Sequence, residues 1–224
     1  MSSGRRSPPA SRCNTTTTAS SLIDQLVDAI VAVVDVAPTS LPDIDRVQRS
    51  LRLPRQEPVA SGFNEQAAAR LDAAVAFAHN DDDRRLARLA AACGSKLPWF
   101  IAYADHTEPD MVALHEGYRV AAIMGPRHLS GTIITSDEAS MYLSIQGPGV
   151  LYPSHVHKAP ELYHVIAGEG LWQRGDGEYT AQPPGAWIDH PTGTRHSMRT
   201  VDQPMLSLAI WTADLDSISE IVRT

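Results

Sequence analysis

Apolar positions along the chain follow two rhythms, one in each half. In "LIDQLVDAIVAVVDVA", Leu22, Leu26, Ile30 and Val34 recur four apart behind Ser20-Ser21, which predicts an amphipathic helix ending near Pro38. A short helix is expected from Leu41 to about Arg55, then a Pro-bounded linker, then two Ala-rich helices in "FNEQAAARLDAAVAFAHN" and "DDRRLARLAAACG", with Gly94 as a C-cap. After "KLPWFIAYADHTEPDM" the rhythm changes. "GYRVAAIMG", "ASMYLSIQ", "GLWQRG", "EYTAQ", "GAWIDH" and "MLSLAIWTA" are short β-rich runs separated by Gly, Pro and Asp, the grammar of a small antiparallel barrel or jelly roll. The opening "MSSGRRSPPASRCNTTTTASS" has no apolar period and is rich in Ser, Thr and Pro, which predicts disorder. The chain therefore divides into a disordered N-terminus over 1–20, a helical extension over 21–115 that packs on the barrel, and a barrel over 116–224.

Composition narrows the partners. A chain of 224 residues suits one compact unit. Its formal net charge is −7 with no basic stripe, which argues against nucleic acid. Arg5-Arg6 invites an export-signal reading, but Asp24, Asp28 and Asp35 interrupt the apolar segment behind it, which is also too short and charged to span a membrane. Cys13 and Cys93 have neither a disulfide framework nor C-x-x-C spacing, so a reducing cytoplasm is expected.

The chemistry concentrates in "YPSHVHKAPELYHVIAGEG", residues 152–170. His155 and His157 are two apart and point the same way on a strand; Glu161 and Tyr163 have the same relation after a turn at Lys158-Ala159-Pro160. This places four metal-competent groups on one side of a hairpin, with His196 arriving from a third strand. Three imidazoles and a carboxylate suit Zn, Fe, Mn, Co or Ni. A lone barrel histidine is ordinarily structural, and Tyr152, Tyr163 and Trp211 each have a plain reading as core or strand aromatics. His164 has the opposite parity and should face away. Asp189 and His190 read as partners behind the ligands or as turn residues, and "DDDRR" at 81–85 as a solvated helix start.

Two spaced motifs give this region a family resemblance. Gly149, His155, His157, Glu161 and Gly168 complete the first cupin motif; Gly177, Pro183, Gly185 and His196 follow the second, with Thr200 where that motif ends in Asn. The glycines are expected to make the turns and kinks that close short strands around a metal. The chain further resembles the cupin-type dimethylsulfoniopropionate lyases through "YPSHVHKAPELYHVIAGEGLW", "PPGAWIDHP", "RHSM" and the late "LAIW". The resemblance implies a cupin barrel, mainly β, with a helical N-terminal extension. It implies metal ligation by His157, Glu161 and His196, leaves open whether Tyr163 is a ligand as well, and makes His155 either a further ligand or a hydrogen-bonding group of the pocket. It also implies cleavage of dimethylsulfoniopropionate, a small zwitterionic sulfonium, to dimethyl sulfide and acrylate. Tyr152 and Tyr163 are then candidate bases if the neighbouring metal lowers the phenol's pKa. Trp211 is the first candidate to face the sulfonium, ahead of Trp172 and Trp187, and "LPWFIAYADH" with Trp99 and Tyr103 would cover the mouth. A dioxygenase or isomerase of the same superfamily, a lyase with a different substrate, and a non-catalytic ligand-binding cupin are the competing readings; a homodimer is left open.

Overall fold

The structure is a computed structural model that describes residues 20–223, so nearly all of the segment expected to be disordered lies outside the described residues. In chain order the elements are α1 (Leu22–Asp35), α2 (Ile44–Ser50), α3 (Glu65–Ala74), α4 (Asp81–Cys93), β1 (Trp99–Phe100), α5 (Pro109–Gly117), β2 (Tyr118–Gly125), β3 (Ile134–Thr135) and β4 (Ser140–Gln146). There follow β5 (Leu151–Val156), β6 (Glu161–Ala167), β7 (Gly170–Arg174), β8 (Thr180–Gln182), β9 (Trp187–His190), β10 (His196–Thr200), β11 (Met205–Trp211) and β12 (Glu220–Ile221).

Helices α1, α3 and α4 begin where side-chain caps are available. Ser21, Asn64 and Asn80 accept from the backbone N–H of Asp24, Ala67 and Asp83, satisfying donors that a helix start leaves free. The helix α5 was not legible as a periodic pattern; Pro109 in its first turn and Asp110 beside it are the local signals that start it. Gly94 ends α4 without turning left-handed: its φ is −49° and the chain runs on as a 3-10 turn. A side chain there would bring Cβ to 2.8 Å from the Phe63 ring, so close packing explains this glycine. Gly168 is different: its φ is +75° and a Cβ would lie 2.1 Å from the Pro204 carbonyl oxygen.

Two sheets face each other as a cupin barrel. One runs β1-β2-β4-β11-β6-β9, with β3 parallel to β2; the other runs β12-β5-β10-β7-β8. The larger sheet is covered on both sides. Leu162, Ile166, Leu206, Leu208 and Ile210 pack with Leu26, Ile30 and Leu86 of the helical layer, while Tyr163, Val165, Met205 and Ala209 face the barrel interior. Hence every residue of β6 is buried, and the strand reads as a continuous apolar run rather than an alternating one. Each fully buried Leu, Ile or Val contributes about 1.5–3 kcal/mol, so the helical layer is part of the folding unit. In the smaller sheet, β5 exposes Leu151 and half-buries Ser154 and Val156, with its alternation broken where Tyr152 and Pro153 are both buried.

Two expectations from the sequence need correction. The 81–85 run is not wholly solvated: Asp83 is buried, and its Oδ1 lies 2.8 Å from Nε2 of His164 on β6. His164 does face away from the barrel interior, into this contact with α4. The strands carrying His155 and Glu161 do not form a hairpin, because β5 and β6 belong to opposite sheets. Among the described residues no helix is long and apolar enough to cross a membrane.

Candidate metal centre and pocket

The four ligand candidates converge across the barrel. The smaller sheet supplies His155 on β5, His157 just beyond it and His196 on β10, where His196 is the cross-strand partner of His155. The larger sheet supplies Glu161 at the start of β6. A β-bulge sets the geometry of β5: between its pairings with His196 and Met198, β5 uses one more residue than β10, at Pro153-Ser154. Simple alternation would place Tyr152 and His155 on opposite faces. The extra residue brings both inward, stacked at 4.1 Å with rings 9° from parallel.

Each histidine is oriented by its own backbone neighbourhood. Nδ1 of His155, His157 and His196 lies 2.9, 2.8 and 2.8 Å from the carbonyl oxygens of Pro153, Ala159 and Thr194. Only a protonated nitrogen can donate to a carbonyl, so Nε2 of each neutral ring carries the lone pair. Ligand atoms of the three rings lie within 4.8 Å of one another. Glu161 Oε2 stands 3.1 Å from His157 Nε2 and 3.2 Å from His196 Nε2, and the latter nitrogen has no hydrogen-bond partner. Lone pairs facing lone pairs require a proton or a cation between them, so the buried donor set fits a divalent metal. The other carboxylate oxygen, Oε1, accepts from Trp211 Nε1–H at 3.0 Å, which fixes the carboxylate plane.

The electrostatics agree with this donor set. Burial raises the Glu161 carboxyl, but hydrogen bonds and charge from His157 and His196 outweigh it and hold the group well below its ordinary range, as an anion. Burial, reinforced by His196, pushes His155 well below 6.5 and keeps it neutral. For His157 burial acts downward, yet the hydrogen bond and charge of Glu161 prevail and raise it.

Above the centre lies a cavity of about 370 Å³, toward the small end of the roughly 300–1,000 Å³ common for small-molecule sites. Tyr152, Glu161, Tyr163 and Trp211 all line it, so the tyrosine pair and the first-choice tryptophan come together with the carboxylate. Burial pushes the phenols of Tyr152 and Tyr163 well above 10. The protein's own groups therefore keep both protonated, and a lowered phenol needs the field of a bound cation.

Other aromatics sort differently from expectation. Trp99 is 1% exposed, donates from its indole to the Gly94 carbonyl at 2.7 Å and sits in the core rather than at the mouth. Trp172 is buried edge-on to Tyr163, and Trp187 packs on His164 outside the barrel interior; neither lines the cavity. Tyr103 does reach it, as expected. Phe100 of the same segment also forms its wall, as do Tyr118 and Tyr142, which the sequence did not single out. The β alternation of "SMYLSIQ" could have found Tyr142, since it shares the inward face with Ser144 and Gln146, opposite Met141, Leu143 and Ile145. His190 is not a turn residue. It lies on β9 as the cross-strand partner of Glu161, with its ring stacked on His196 at 4.1 Å and neither nitrogen partnered.

A family model described as dimethylsulfoniopropionate lyase matches residues 41–207. The curated dimethylsulfoniopropionate lyase DddQ of Ruegeria pomeroyi is 33% identical over 87 residues, 39% of this chain; the match spans 43% of that relative's length. The crystal structure of DMSP lyase DddQ from R. pomeroyi superposes with a TM-score of 0.71 at 23% identity, covering 90% of this chain and 96% of that one. A structure from a study of the DMSP lyases RdDddP and RnDddQII superposes at 0.65 and 18% identity, covering 90% and 98%.

Proposed function

Because the chain belongs to the dimethylsulfoniopropionate lyase family, we propose that it cleaves dimethylsulfoniopropionate to dimethyl sulfide and acrylate by metal-dependent, base-promoted β-elimination. The observation that carries this reading is the meeting of two tyrosines, a tryptophan and Glu161 at one cavity, with His157 and His196 against that carboxylate and His155 beside them. His157, Glu161 and His196, with His155 beside them, would hold a first-row divalent metal such as Zn, Fe, Mn, Co or Ni. When bound, that ion supplies positive charge to the substrate carboxylate as the neighbouring carbon loses its proton.

The chain's own residues account for the rest. Tyr152 and Tyr163 reach the cavity from opposite sheets and are the two candidate acceptors of that proton. Trp211, with Tyr142 edge-on at 6.1 Å, offers an aromatic wall to the dimethylsulfonium, where each good cation–π contact contributes about 0.5–2 kcal/mol. Trp211 thus has two tasks, holding Glu161 by its N–H and facing the sulfonium with its ring.

The test is metal reconstitution followed by gas-chromatographic detection of dimethyl sulfide, in parallel with Tyr152→Phe, Tyr163→Phe and His157→Ala. Release should require metal, should be lost with His157→Ala, and should fall by about 10²–10⁴-fold in at least one tyrosine variant. No release from folded, metallated protein overturns the assignment, and oxygen consumption in the same preparation would favour a dioxygenase.

A further inference from the structure

Hydrogen bonds and backbone strain converge on Tyr103, at the cavity wall. Its backbone lies in the left-handed region, φ +54°, a conformation that costs a bulky residue on the order of 1–3 kcal/mol. Such strain persists only where the surroundings over-determine it. Here the Tyr103 carbonyl accepts from the His106 N–H and from His115 Nε2, both at 2.9 Å, and the ring lies edge-on to His106 at 5.7 Å. The hydroxyl is held as well. Tyr152 donates to it at 3.0 Å, and Ser219 Oγ lies 2.6 Å on its other side.

We propose that Tyr103 is a positioning residue for Tyr152, holding the Tyr152 hydroxyl at the inner end of a three-hydroxyl chain that runs out to Ser219. The inference rests on the lyase reading of the pocket. A phenol has one proton, and when that proton is committed outward to Tyr103 the oxygen lone pairs of Tyr152 are left for the cavity. To act as the base, Tyr152 gives that proton up along the chain through Tyr103 to Ser219, which releases one to solvent. The phenolate oxygen left at the cavity then takes the substrate's proton, held in place by the Tyr103 hydroxyl, now its donor. Without the acceptor on Tyr103, the O–H can swing inward and present a donor to the same space.

The chain also explains why three distant segments meet here. Tyr103 follows β1, Tyr152 lies on β5 and Ser219 immediately precedes β12, which pairs with β5 through Glu220 and Ile221. The rings of Tyr103 and Tyr152 pack edge-to-face at 6.0 Å, so the hydroxyl contact is built on a fixed aromatic pair. Ser217 reinforces the same segment by accepting from the Ala159 N–H at 3.2 Å, two residues before Glu161.

Tyr103→Phe removes the acceptor and keeps the ring. In metal-reconstituted protein it should lower kcat about 10–100-fold, with KM within about twofold and metal content unchanged. Ser219→Ala should give a smaller loss in the same direction. A second readout needs no turnover: amide hydrogen exchange of residues 217–222. Tyr103→Phe and Tyr152→Phe should each accelerate it, and the double variant should be no faster than the faster single one, because both break the same chain. Unchanged kcat in Tyr103→Phe, or additive acceleration in the double variant, overturns the proposal. If the parent protein releases no dimethyl sulfide, the lyase reading fails, while the exchange cycle still decides whether Tyr103 holds Tyr152.

Discussion

Glu161 is the residue on which the two halves of the barrel depend, since one oxygen faces His157 and His196 while the other is held by Trp211. His190 stands on the far side of His196 and yields a prediction at this scale. Burial, with the charge of His196 adding to it, pushes His190 down to about 3 from 6.5. The unfolded chain therefore binds a proton that the folded chain refuses between those values, and stability falls as pH is lowered from 6.5 toward 3. His190→Phe keeps a ring against His196 and removes this titration. Chelator-treated His190→Phe should lose melting temperature less steeply than the chelator-treated parent between pH 6.5 and pH 4; equal slopes would refute the assignment.

At the scale of elements, the decisive contacts join helices to strands and sheet to sheet. Asp83 on α4 and His164 on β6 are both buried, at 1% and 3% exposure, and meet at 2.8 Å on the outer face of the strand that carries Glu161 and Tyr163 inward. Replacing either one strands the other in an apolar layer, so Asp83→Ala or His164→Ala should cost about 3–5 kcal/mol in urea unfolding. Asp83→Leu combined with His164→Leu should recover part of that loss. A double variant as unstable as the sum of the singles would show the pair to be uncoupled. Strand parity made the inward facing of Glu161 with Tyr163 legible, and of His155 with His157. It did not reveal the Pro153-Ser154 bulge that brings Tyr152 to the same side as His155, because a bulge is a mismatch between two strands and leaves no periodic trace in one.

For the whole molecule, the proposed metal donors come from both sheets, so loss of an ion held there should loosen the barrel as a unit. Free metal at about 100 times its Kd adds about 2.7 kcal/mol of stability. Chelation should then lower the melting temperature by roughly 5–10 °C, at about 2–4 °C per kcal/mol for a chain of this size. Differential scanning calorimetry with and without chelator reads this directly, and an unchanged transition in protein of known metal content would sever the link between centre and fold.

What the sequence determined by itself is what periodicity and spacing record: a helical first half, a β-rich second half, and a histidine and glutamate set at fixed offsets on strands. These are local properties, written in side-chain order. The tertiary structure alone decided that β5 and β6 lie in opposite sheets, that Trp99 is core, and that Asp83 is buried against His164. Each of these depends on which distant segment covers which face, and burial of apolar surface sets that pairing across the whole chain without regard to distance along it.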